Sequence, residues 1–298
     1  MRFSLVFLLC LTISGAASAD DGVLEINQSC AVNTGCFAGD TAGFPVTITT
    51  TGSYRLTATL TLPNENTNGI EISANSVSLD LNGFEIAGPV ACQSRPVSCT
   101  PSSGTGSAVD SSGFTGTTVA NGRIRGMGFR GLDLSAYAIV EGVALTSNRA
   151  QQIVVGAGSI VRNNIASFGG NTGISAGAGA VVTGNTANNH GNAGISAGSG
   201  STVAGNSAYL NGSDGIIVSS GSTVVGNLVY ANLGDGIQTT SSSMVQRNTI
   251  RENALFGIRN VSALSPTAYR NNTIYLNQTG EVEDGVDLGG NYCAPACP

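Results

Sequence analysis

Between Val161 and Ile258 the chain repeats itself every 21 residues, and three columns stay in phase through five copies. One column is Val161, Val182, Val203, Val224 and Val245, and a second is Asn164, Asn185, Asn206, Asn227 and Asn248. The third is the Gly-Ile pair that begins at Gly173, Gly194, Gly215, Gly236 and Gly257. A unit this short cannot bury a core alone, and its β-branched runs carry no helix-length apolar pattern. It must therefore stack on copies of itself. The expected fold class is all-β: a parallel β-helix solenoid of coils with three short strands each, right-handed by the general crossover preference.

Alternation along each strand turns every second side chain inward. Ile174, Ile195, Ile216, Ile237 and Ile258 then form one inner wall and the valine column a second. Ala166, Ala187, Ala208, Val229 and Ile250 form a third, where alanine lets a narrow interior close. The asparagine column reads as structural. Asparagine tolerates the left-handed backbone of a sharp corner, and its amide can hydrogen-bond to the same amide one coil away.

The first residues read differently. Arg2, the apolar run Phe3 to Ile13 and Ala17-Ser18-Ala19 have the pattern of a secretory signal peptide over residues 1–19, too short to span a membrane. An exported protein, periplasmic or extracellular, is expected, with no membrane segment after cleavage. Six cysteines follow in close pairs, Cys30 with Cys36, Cys92 with Cys99 and Cys293 with Cys297. Fifteen connectivities are open in principle; local disulfides fit an exported chain better than zinc, for which a single histidine offers little help. A net charge of −6 argues against nucleic acid as a partner. Only 10% of residues are charged, as stacking requires, because a like charge in every coil would repel its neighbours.

The repeat divides the remaining chain. Residues 20–68 are expected to supply N-terminal cap strands, 69–280 the β-helix with a cysteine loop at 87–105, and 281–298 a C-terminal cap. Past Ile258 the phase slips by three residues, so that Asn272 follows Asn248. Glu141 and Arg162 should form a surface ion pair between neighbouring coils.

The runs Tyr54-Arg55-Leu56-Thr57, Gly69-Ile70-Glu71-Ile72 and Leu79-Asp80-Leu81-Asn82-Gly83-Phe84, then the Gly-Asn coils and Gly289-Gly290-Asn291-Tyr292-Cys293, resemble the exported bacterial right-handed parallel β-helix repeat proteins of the pectate-lyase-like superfamily. The resemblance covers nearly all of the chain after residue 19. It implies the fold, and fold alone does not carry activity.

Polysaccharide lyases and hydrolases need clustered carboxylates with a basic partner. The weak catalytic candidates are Asp214 and Asp235, which share a column before Gly-Ile, with Arg259 nearby and Asp284 expected next after the slip. Such a pair can hold calcium or share a proton, or it can be ordinary Asp-Gly turn chemistry. His190 occupies the column of Asn211, Asn232 and Asn253 and reads as a turn residue rather than a base. No dedicated metal site is read from the sequence. Tyr209, Tyr230, Arg251 and Tyr275 share one outward position, a strip able to meet sugar rings or simply to reinforce the sheet. The competing groove is the outer first strand, Ser196, Ile217, Gln238 and Arg259 beside Asp214 and Asp235. Three classes remain: a monomeric glycan-binding or cell-surface-associated β-helix with a polysaccharide partner, a polysaccharide lyase, epimerase or hydrolase, and a structural or adhesive rod.

Overall fold

A strand of three residues can satisfy its backbone only by pairing with the equivalent strand of the next coil. The computed structural model describes residues 22–93, 96–262 and 265–297, and there the chain forms a stack of such coils. The expected signal peptide lies outside the described residues. One sheet contains eleven strands, the first at Val46–Ile48 and the last at Gly280–Glu283. The other two faces join into a 21-stranded sheet, because the eight-residue strands Thr118–Arg125 and Ile139–Thr146 continue around the corner between them. Within the repeat the stacking is parallel, with a register of one 21-residue unit: Ile195 lies opposite Ile216, Val203 opposite Val224 and Ala208 opposite Val229.

The three inner walls are those expected. Ile174, Ile195, Ile216, Ile237 and Ile258, the valine column and the Ala166-to-Ile250 column are all fully buried. Each isoleucine or valine so buried contributes about 1.5–3 kcal/mol of transfer free energy. Because each coil touches only its neighbours, that stabilisation is distributed along the axis.

Hydrogen-bonded ladders close the corners. Asn185 donates its backbone N–H and its amide to Asn206 Oδ1, at 2.9 and 3.0 Å, and its amide also reaches the Val161 carbonyl. The same pattern runs from Asn164 through Asn227 and Asn248 to Asn272, across the expected slip. One detail of the sequence reading is corrected. The left-handed residue is the one before each asparagine: Asn163, Gly184, Gly205, Gly226 and Arg247 have φ between 56° and 66°. The ladder asparagine turns inward to bond, and its predecessor makes the bend. A second ladder lies at the next corner, in Asn211, Asn232, Asn253 and Asn277. A third uses serine, with Ser201 and Ser222 donating backbone N–H groups to the hydroxyls of Ser222 and Ser243.

The solenoid extends beyond its sequence-predicted limits. Val46–Ile48, Gly52–Leu56 and Leu60–Thr61 pair in register with Ile70–Ile72, Val77–Asp80 and Glu85–Ala87, so a complete coil already stands within residues 20–68. Ahead of it, Val23–Ile26 and the helix Gln28–Asn33 cover the end, with Ile26 and Ala31 in the core. At the other end Gly280–Glu283, Val286–Asp287 and Tyr292–Ala294 stack as one further coil. Disulfides join Cys30 to Cys36, Cys92 to Cys99 and Cys293 to Cys297. The Glu141–Arg162 pair forms at 2.6 Å, both partners well exposed, a geometry worth little in stability.

Candidate functional site

Sequence reading placed four side chains on the outer face of the third strand, and the structure brings them into one row. Tyr209 and Tyr230 are opposite each other on neighbouring strands, their rings parallel within 8° and their centroids 4.8 Å apart. The Arg251 guanidinium lies 4.6 Å from the Tyr230 centroid on the next coil and is paired with Glu252, and Tyr275 follows in register. This arrangement changes what the row can offer. Tyr230 is covered by Tyr209 on one side and by the guanidinium on the other, so the row presents ring edges and phenolic hydroxyls more than open faces. Burial raises the Tyr209 hydroxyl above its ordinary pKa, and the neighbouring Tyr230 adds to the shift. The hydroxyl is protonated at neutral pH and able to donate.

Asp214 and Asp235 do lie in one column, but they serve the backbone. Asp214 Oδ1 accepts the N–H of Asp235 at 2.6 Å, and Asp235 Oδ1 accepts the N–H of Phe256 at 2.9 Å. Both carboxylates are buried. Desolvation raises the pKa of Asp214, opposed by the hydrogen bond from Asp235. Arg259 approaches Asp235 Oδ2 at 3.6 Å and also pairs with Glu283. Asp284 does not continue the column: Phe256 is opposite Gly280, and Asp284 is exposed beyond the strand. The three-residue slip carries the column from Phe256 to Gly280, and Asp284 falls four residues further on, past the end of the strand.

His190 is a member of the second corner ladder. Its Nδ1 accepts the Gly169 N–H at 3.1 Å, its backbone N–H donates to Asn211 Oδ1, and its Nε2 lies 3.1 Å from the Ala166 carbonyl. The contact with a carbonyl puts the proton on Nε2 and leaves Nδ1 as acceptor. These are the roles an asparagine oxygen and amide play one coil later, where Asn211 donates to the Ala187 carbonyl. Room for the larger ring comes from missing side chains: a Cβ on Gly169 would meet His190 Nδ1 at 2.8 Å. Burial lowers the His190 pKa to about 4, so the ring is neutral near pH 7 and has neither nitrogen free to act as a base.

One constellation escaped the sequence reading. Glu71, Asp110 and Asp133 stand opposite one another on three consecutive coils of the outer first strand. Asp133 pairs with Arg130 at 2.5 Å, Glu71 accepts from the Asn68 amide, and Asp110 accepts the Ser112 N–H. Glu71, Asp110, Ser112 and Phe114 line a cavity of about 240 Å³. The signal was available in the alternation of Ile70-Glu71-Ile72, Val109-Asp110-Ser111 and Leu132-Asp133-Leu134, but unequal loops separate these coils and hide the column. Among the described residues, no three histidine, cysteine or carboxylate side chains are grouped to hold a metal ion. No helix among them is long and apolar enough to cross a membrane.

Comparison with known proteins bears on the fold. Solved structures similar to this chain include a point mutant of the periplasmic alginate epimerase AlgG, at 14% identity and TM-score 0.58 over 84% of this chain and 70% of that one. The A-module of the mannuronan C-5 epimerase AlgE4 from Azotobacter vinelandii aligns at 13% identity and TM-score 0.53, covering 82% and 88% of the two chains. The catalytic domain of a GH87 α-1,3-glucanase aligns at 12% identity and TM-score 0.51, covering 90% and 70%. No curated protein matches the chain in sequence. Residues 140–279 match the family described as "Right handed beta helix region", and the chain shares the parallel β-helix fold of these solved structures.

Proposed function

We propose that this protein is an exported polysaccharide-binding β-helix that holds a glycan along the outer third strand, over Tyr209, Tyr230, Arg251 and Tyr275. The observation that carries the reading is the Tyr209–Tyr230–Arg251 stack, set at the coil spacing on the outer face of the third strand. A row of phenolic hydroxyls and one guanidinium supplies hydrogen-bond donors at regular intervals, which suits a polymer whose hydroxyls also recur regularly. The ring edges add apolar contact. Structural neighbours that act on polysaccharides, and three disulfides, agree with an exported carbohydrate-related protein. On a glycan array the wild-type protein is expected to select a polysaccharide, and Tyr209→Ala with Tyr230→Ala to weaken that binding by roughly tenfold without lowering the melting temperature. Unchanged affinity in the double variant would remove the strip from the site and leave a rod.

A second reading, glycan cleavage or epimerisation, is favoured by the Glu71, Asp110 and Asp133 column, because carboxylates on neighbouring strands of a groove are the tools of that chemistry. It predicts product release from a uronate and neutral-glycan panel, and loss of at least about a hundredfold in rate for Asp110→Asn. A panel with no turnover in the wild type, with and without calcium, would leave binding alone.

A further inference from the structure

The outer face of the second strand takes no part in either functional reading. Stacking in strict register gives it two straight columns. The first runs through Ile139, Ile160, Val181, Thr202, Thr223 and Met244, and it carries no charged side chain from Thr118 to Val286. The second begins with Glu141 and Arg162, passes through Thr183, Ala204 and Val225, and ends with Gln246 and Arg270. Val181 is 39% exposed, and in the last coil Val286 and Leu288 are 44% and 51% exposed. From Thr118 to Val286 the face is about 38 Å long at the usual strand spacing. A continuous strip of this kind, charged only at its two ends, has the form of an association surface.

The charges select the partner. Glu141 and Arg162 stand at one end and Arg270 at the other, with Thr202–Ala204 halfway between them. Arg270 donates its Nε–H to Gln246 at 3.0 Å, and among the described residues no carboxylate pairs with it. A two-fold axis lying along Thr202–Ala204 sets a second copy face to face with its coils in reverse order. Each column then meets itself. Glu141 comes level with the partner's Arg270, Arg162 with the partner's Gln246, and Ile160 with the partner's Met244. Small Thr118 and Ala120 come level with the partner's Val286 and Leu288, and Arg247, on the corner beside Gln246, with the partner's Asn163. Two copies packed with their axes parallel would instead set the first column against the second. That arrangement lays Glu141 and Arg162 on Ile139 and Ile160, where charge loses its hydration with nothing in return.

We propose that this face is a homodimer interface, at which two copies of the chain pack antiparallel about an axis at Thr202–Ala204. The inference is independent of the glycan-binding reading. It leaves the third strand of both copies uncovered, with the two tyrosine rows on one flank of the dimer and running in opposite directions.

Analytical ultracentrifugation of the full chain across the micromolar range provides the test, and twice the chain mass is expected. Thr202→Arg sets two guanidinium groups against each other at the axis and should raise the dimer dissociation constant at least about a hundredfold. Thr202 is half-buried on the outer face, so the variant should fold, which circular dichroism checks. Glu141→Arg alone and Arg270→Glu alone should each weaken the dimer at least about tenfold, and the two together should restore it. Both residues are solvent-accessible, and the contacts they make within one copy contribute little to folding. Only an antiparallel pairing brings these two positions together, so the restoration reports the register as well as the face. A monomer at every concentration, a dimer indifferent to Thr202→Arg, or a charge exchange that fails to restore association overturns the proposal.

Discussion

Replacing Asn206 with alanine is expected to lower the melting temperature by several degrees, and Asn227→Ala to do the same, with no change in any glycan affinity. Asn206 Oδ1 accepts both the backbone N–H and the amide of Asn185, while its own amide serves the Val182 carbonyl and Asn227 Oδ1 at 2.9 and 3.0 Å. Alanine leaves the Asn185 N–H buried without an acceptor and the Val182 carbonyl short of a donor. Each stranded group costs about 1–3 kcal/mol, so about 3 kcal/mol per substitution is a reasonable centre. At roughly 2–4 °C per kcal/mol for a domain of this size, the melt should move by about 6–12 °C. Asn206→Asp makes a useful companion, since it keeps the acceptor but loses the amide protons. It should retain the Asn185 contact and still fall below wild type. Melting curves for both alanine variants that superimpose on wild type would mean the ladder is not buried as described.

The ladder also shows how far the sequence could be read. Its period, its inward neighbours and its place at a corner were all visible, because a repeat broadcasts one local solution five times. What could not be seen was which of two adjacent residues makes the bend. Gly-Asn at 184–185 and Arg-Asn at 247–248 take the same path, and only the backbone tells that the first member carries the positive φ. The coils at Val46–Thr61 and Gly280–Ala294 were hidden for a different reason: their strands stack in register, but turns of unequal length destroy the 21-residue count. The same irregularity concealed the Glu71, Asp110 and Asp133 column. For the tyrosine row, register was legible and ring orientation was not, since spacing alone cannot distinguish rings that face solvent from rings that face each other.

The ends of the ladders extend this logic, because a chain of amide donors needs a final acceptor. The first ladder finishes with Asn291 donating to Asp287 Oδ1 at 2.6 Å, and the second with Asn277 donating to Glu281 Oε2 at 2.6 Å. Glu281 is a buried carboxylate, which would be costly without that partner. Carboxylates at the terminal coil are therefore parts of the stack before they are candidates for chemistry, as Asp214 and Asp235 are in the middle of it.

A larger pH effect is expected from His190, and its sign follows from burial. The folded-state pKa of about 4 lies below the unfolded value of 6.5, so the unfolded chain takes up the proton first as pH falls. Stability from the neutral ring is complete above about pH 6.5, declines between 6.5 and 4, and changes no further below. At 1.36 kcal/mol per pKa unit, the loss by pH 4.5 should be about 2–3 kcal/mol. Asp214 works in the opposite direction, since a carboxyl whose pKa is raised by burial gains folded-state stability as it protonates. The two are separated by His190→Asn. Asparagine has the acceptor and donor that the corner uses in Asn211, so the ladder persists, while the space beside Gly169 is left partly empty and costs about 1–2 kcal/mol near pH 7.5. Denaturant unfolding of wild type and variant at pH 7.5 and 4.5 gives the answer. Wild type should lose about 2–3 kcal/mol more than His190→Asn between the two conditions, so that the variant is the weaker protein at neutral pH and the equal or stronger one at pH 4.5. Parallel losses in the two proteins would show that the ring does not titrate out of a buried neutral state, and that the corner at Gly169 is open to water.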